Sequence, residues 1–116
     1  MKKTFLLLGL LLFSLMSFAQ EHKEPNDVTV SAKTLRSYVG KYELGPGAVL
    51  DVTANEGQIF VQLTGQSKFE IFPSSATEFY LKVVEAKVVF HKDDKGAVVS
   101  LTLYQNGRDI LGTKVE

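Results

Sequence analysis

From Lys41 to the C-terminus, residues that favour tight turns recur at intervals of roughly 8 to 12, and the segments between them alternate apolar and polar side chains. The turn candidates are Gly45-Pro46-Gly47, Asn55-Glu56-Gly57, Gly65-Gln66-Ser67, Pro73 to Thr77, Asp93 to Gly96 and Asn106-Gly107. Each supplies residues that tolerate positive φ or preset a turn. Asn106-Gly107 is the clearest, because a two-residue type I′ hairpin needs positive φ at both positions. A further bend at Val84 to Ala86 has neither glycine nor proline to mark it. These breaks delimit eight expected strands: 39–44, 48–55, 58–63, 68–72, 78–83, 87–92, 97–105 and 108–115. Every connection is short enough for a hairpin, whereas parallel neighbours need crossovers of about a dozen residues or more. The expected fold is therefore all-β, an eight-stranded antiparallel up-and-down barrel, whose interior either fills with side chains or holds one small ligand.

The segment before Lys41 obeys different rules. Met1-Lys2-Lys3, an apolar run from Phe5 to Met16 and the small-residue site Ser17-Phe18-Ala19 have the order of a cleavable signal peptide, residues 1–19. The run is too short for a transmembrane helix, which needs about 20 apolar residues. Residues 20–30 are polar, include Pro25 and Asn26, and read as a linker. The barrel domain is expected over 31–116. Within it Ser31 can cap a short helix through about Tyr38, with Leu35, Tyr38 and Val39 on one face and Gly40 ending it.

Cleavage after Ala19 removes Lys2 and Lys3 from 13 basic residues, leaving 11 against 13 acidic ones and a net charge near −2. No cationic excess remains to neutralise a phosphate backbone, so nucleic acid is not an expected partner. The chain has no cysteine, which excludes disulfides, thiolate metal sites and a lipid thioether anchor. The mature protein is expected in the periplasm or the medium, with no stable membrane anchor and its stability drawn from one hydrophobic core.

Strand parity assigns that core to Leu50, Val52, Ile59, Val61, Leu63, Phe69, Ile71, Phe79, Leu81, Val83, Val88, Phe90, Leu101 and Leu103. Of these, Phe69, Phe79, Phe90 and Leu103 are the candidates to line a small apolar-ligand site inside the barrel. A solidly filled core is the alternative, and the one favoured for so short a chain. The opposite parity carries Asp51, Thr53, Gln62, Glu70 and Lys82, but also Phe60, Phe72 and Tyr80. Exposed aromatics are enriched at interfaces, so these three are the candidate interaction surface.

Several stretches together resemble a bacterial family: Leu35, Tyr38-Val39-Gly40-Lys41-Tyr42-Glu43-Leu44, Phe69-Glu70-Ile71-Phe72-Pro73, Glu78-Phe79, Val88-Val89-Phe90 and Gln105-Asn106-Gly107-Arg108. They look like a domain of unknown function usually appended to the C-terminus of serine beta-lactamase-like or penicillin-binding-protein-like hydrolases. The resemblance runs from about Ser31 to Glu116 and implies a lipocalin-like barrel. It also implies a possible partner, a separately encoded serine hydrolase or a second copy of the chain. Only a signal peptide and a linker are expected ahead of the barrel here, so the hydrolase activity is not carried over.

Catalytic motifs are thin. No serine is followed by lysine three residues on, Lys-Thr-Gly is missing, and Tyr104-Gln105-Asn106 imitates a Tyr-x-Asn element without a nucleophile or its activating lysine. The histidines are His22, in the linker, and His91, near Asp93 and Asp94 in what reads as a solvated turn with Lys95 and Gly96. Neither a metal site nor a cofactor is expected. Glu70 and Glu78 could face one another on adjacent strands as an acid and base pair, although the outer face makes them more naturally solubilising charges. The expected function is a non-catalytic exported accessory module, with a small-ligand carrier as the alternative and an enzyme last.

Overall fold

The computed structural model describes residues 28–116; the expected signal peptide and most of the expected linker lie outside the described residues. One short helix, α1 (Ala32–Tyr38), precedes eight strands: β1 (Gly40–Gly45), β2 (Ala48–Asn55), β3 (Gln58–Leu63), β4 (Lys68–Pro73), β5 (Glu78–Tyr80), β6 (Ala86–Lys92), β7 (Val98–Gln105) and β8 (Arg108–Lys114). Each strand pairs antiparallel with the next, and β8 pairs back onto β1 through Tyr42 opposite Lys114 and Glu43 opposite Thr113, closing the barrel. Closure leaves no unpaired sheet edge.

Helix α1 begins where the capping chemistry places it. The Ser31 side chain accepts a hydrogen bond from the Thr34 amide at 3.2 Å, satisfying one of the free donors of the first turn. Its end is made differently from the expectation. Val39 occupies the C-cap in extended conformation, and Gly40 opens β1 with φ 154°. Glycine is needed there because a Cβ would meet the Glu116 carbonyl oxygen at 2.5 Å.

In an up-and-down barrel successive hairpins alternate between the two ends. The turns β2–β3, β4–β5 and β6–β7 therefore share one end with α1, and the remaining turns share the other. At the helix end Tyr38 descends from α1 into the interior and is fully buried together with Tyr42 and Phe79, with Phe90 3 % exposed. The Tyr38 ring stacks on Phe90 at 4.1 Å between centroids, and Phe79 meets both rings edge-on. Leu35, Leu50, Val52, Ile59, Val61, Ile71, Val88, Val98 and Leu101 complete the buried core. Leu44, Leu63, Leu81 and Leu103 are half-buried against it.

One expected strand is corrected. Strand β5 stops at Tyr80 instead of running to residue 83, because the Leu81 amide bonds to the Ala86 carbonyl at 3.1 Å and turns the chain. Val83, expected inside, is 64 % exposed on that loop. Its alternating neighbours imitate a strand, and the missing turn residues hide the bend.

Candidate functional site

The barrel's register brings outward residues from five strands into one row. Phe72 on β4 lies opposite Tyr80 on β5, Tyr80 opposite Lys87 on β6, Lys87 opposite Tyr104 on β7, and Tyr104 opposite Asp109 on β8. Cross-strand partners are close enough to touch. Phe72 and Tyr80 do so, with ring centroids 5.8 Å apart. Phe60 on β3 lies opposite Glu70, one diagonal step from Phe72. All three expected surface aromatics are half-buried on the outer face.

Lysines lean over these rings. Lys82 Nζ lies 4.0 Å from the Phe72 centroid, Lys87 Nζ 5.0 Å from Tyr104 and Lys68 Nζ 5.7 Å from Phe60. A lysine stem covers part of an apolar face while its head stays in water, and the ammonium is attracted to the ring quadrupole. Lys87, Tyr104 and Asp109 are the members of the row that sequence reading did not place on the candidate surface. Their outward parity was visible, but the register that lines them up with Tyr80 was not.

The four expected interior residues divide between the two ends. Phe79 and Phe90 lie deep at the helix end, where the Tyr38 ring takes up the space beside them. Phe69 and Leu103 are half-buried towards the opposite mouth. They do not form one common lining. Their positions along the strands divide them: Phe79 and Phe90 sit near the ends of β5 and β6 that meet α1, Phe69 and Leu103 near the ends of β4 and β7 that lie away from it.

The titratable candidates fall apart likewise. Glu70 lies opposite Phe60 and accepts a hydrogen bond from Gln58 Nε2 at 3.1 Å. Glu78 lies opposite Val89. In the β4–β5 register, with Phe72 opposite Tyr80, the two glutamates sit four residues out of step and do not face one another. Asp93 Oδ1 accepts the Lys95 and Ala97 amides, each at 2.9 Å, which is turn chemistry. His91 Nε2 is 2.7 Å from Thr102 Oγ1. Among the described residues no three metal-ligating side chains converge, and no helix is long and apolar enough to cross a membrane.

Against known proteins, residues 24–114 match a family described as a domain of unknown function, DUF3471. The chain is also 31 % identical over 91 residues to penicillin-binding protein 4* of Bacillus subtilis (strain 168). That alignment takes in 78 % of this chain and 19 % of the relative, so the chain spans about a fifth of the length of the curated relative it matches. With the closed barrel, these matches show that the chain belongs to the DUF3471 family, a domain that also forms part of a penicillin-binding protein.

Proposed function

We propose that the domain is an exported, non-catalytic accessory module that docks on a serine hydrolase of the penicillin-binding-protein type, with Phe72 and Tyr80 at the centre of the contact. The observation that carries this reading is the touching aromatic pair, half-buried on the outer face of the barrel rather than drawn into its core. Aromatic side chains supply large contact area with only two side-chain torsions to fix, and they dominate interface energetics. The alignment with the Bacillus protein supports the choice of partner, since about four fifths of that protein lies outside the part resembling this chain.

The test is capture of the tagged mature protein from its own envelope fraction, followed by labelling of whatever is retained with a fluorescent penicillin. The wild-type protein is expected to retain a penicillin-labelled hydrolase, and a Phe72→Ala, Tyr80→Ala double variant to retain at least about thirtyfold less, the loss of one strong interface anchor. Absence of any labelled protein from the wild-type capture, or equal retention by the double variant, refutes the proposal.

A further inference from the structure

Beyond the aromatic pair, the row of outward side chains runs into an open groove at the barrel end that carries the β7–β8 turn. The groove is lined by Lys87, Tyr104, Gln105, Asn106, Arg108 and Asp109, with Glu85 at its rim, and has a volume of about 630 Å³. That lies inside the roughly 300–1,000 Å³ range of small-molecule sites. We infer that this groove is a binding site for a short segment of a neutral glycan, with Tyr104 as the stacking platform.

Three features of the groove select that class of ligand. The first is the balance of charge. Lys87 and Arg108 face Glu85 and Asp109 around one opening, so the groove has no net charge with which to select a phosphate or a polyanion. What four charged groups and two side-chain amides do offer is a ring of hydrogen-bond donors and acceptors of both kinds, the requirement of a ligand covered in hydroxyls. The second is Tyr104 itself. Sugar rings present one weakly polar face of C–H groups, and the half-buried Tyr104 ring in a polar surround gives that face a place to lie once the Lys87 ammonium, 5.0 Å from the ring centroid, swings aside. The third is rigidity. Tyr104 is fixed between cross-strand partners on both sides, Lys87 and Asp109, and the two-residue turn after Gln105 holds Asn106 in the left-handed region at φ 55°. A preorganised surface loses little entropy on binding, which matters for a weak ligand. The groove is open along its length, so it suits part of a longer chain rather than an enclosed monosaccharide.

This site is separate from the Phe72–Tyr80 contact, and the two are tested by different variants. The experiment is a titration of the isotopically labelled mature protein with chitotetraose and with cellotetraose, followed by amide and side-chain NMR. Saturable shifts at Tyr104 to Asp109 and Lys87 are expected with at least one tetrasaccharide, with a dissociation constant in the range of about 0.1 to 10 mM for so open a site. Tyr104→Phe keeps the ring and is expected to bind as the wild type does. Tyr104→Ala is expected to lose about tenfold or more in affinity while its remaining spectrum stays that of the folded barrel. A Tyr104→Ala protein that does not fold shifts the test to Asp109→Ala, whose weaker binding is the expected result. No localised shift with either tetrasaccharide at about 10 mM overturns the inference. So does a shift produced instead by a zwitterionic dipeptide added as control.

Discussion

The two buried tyrosines do more to define the interior than any other pair of residues. Tyr38 Oη donates to the Ala76 carbonyl at 2.6 Å, tying α1 to the β4–β5 turn, and Tyr42 Oη donates to the Tyr38 carbonyl at 2.7 Å, tying β1 to the end of α1. A buried polar group is tolerated only when it is hydrogen-bonded, and here each hydroxyl finds a carbonyl; the one that Tyr42 reaches belongs to the last turn of α1, whose carbonyls have no partner within the helix. Tyr42→Phe leaves the Tyr38 carbonyl without that partner and is expected to cost about 1–2 kcal/mol near neutral pH, measured by urea unfolding. Burial pushes both hydroxyls above the ordinary tyrosine value of 10.0, and for Tyr42 the neighbouring Tyr38 adds to the rise. The sign of the pH effect follows. Below about pH 10 both folded and unfolded chains keep these protons; above it the unfolded chain releases them first, so stability falls as pH rises, by up to about 1.4 kcal/mol per pH unit for each tyrosine. Urea midpoints between pH 9 and 11.5 should decline for the wild type and decline less steeply for Tyr42→Phe. Parallel profiles would mean that Tyr42 ionises as freely in the folded protein as in the unfolded one.

Among the elements, the β2–β3 hairpin carries an avoidable strain. Asn55 pairs with Gln58, leaving a two-residue turn in which Glu56 has φ 52° and Gly57 φ 82°. This is the type I′ pattern, which favours asparagine or glycine at the first position because other side chains crowd the backbone there. The β7–β8 turn has the same conformation with Asn106 at φ 55° and Gly107 at 74°, and carries the favoured pair. Glu56→Asn is therefore expected to stabilise the domain by about 0.5 kcal/mol, a rise in Tm of roughly 2–4 °C for a domain of this size. A thermal scan showing no gain would indicate that Glu56 makes a compensating interaction. Strand β5 is the other informative element. It is paired to β4 only through Phe72–Tyr80 and Pro73–Phe79, and Pro73 has no amide hydrogen to donate.

For the whole molecule, the seams of the barrel are unequal. Strands β6 and β7 pair continuously from Ala86–Gln105 to Lys92–Val98, interrupted only by a bulge at Val99. The β1–β8 seam has two paired rungs, extended by the Val115 amide to the Lys41 carbonyl at 2.8 Å. Local opening follows the weakest pairing, so hydrogen exchange should be fastest in β5 and the 81–85 loop and slower by about two orders of magnitude or more in β6 and β7. Equal protection of β5 and β6 would show that the barrel opens only as a unit. The same asymmetry suits the proposed roles, since the glycan groove lies on the firmly paired β6–β8 sheet while Phe72 and Tyr80 flank the looser seam, where side chains can adjust to a protein surface.

Much of this architecture was legible in the chain because it is set by local chemistry. Gly-Pro-Gly, Glu-Gly and Asn-Gly can hardly avoid turning, Ser31 caps the residues that follow it, and period-two alternation puts Leu50, Val52, Ile59, Val61, Ile71 and Leu101 on one face whatever the partner strand. The aromatics Phe60, Phe72 and Tyr80 were found by the same alternation. Three things had to wait for the tertiary structure. Val83 continues an alternating pattern yet lies on a loop, because a hydrogen bond between Leu81 and Ala86 outweighs a periodicity that costs nothing to abandon in water. Tyr38 fills the helix end of the barrel against Phe79 and Phe90, a long-range packing choice that no helical or strand period encodes. The row from Phe72 to Asp109 exists only through the registers of four strand pairs, which are fixed jointly by the turns and by closure. Local sequence determines which way a side chain points; closure of the barrel decides which side chains it stands beside.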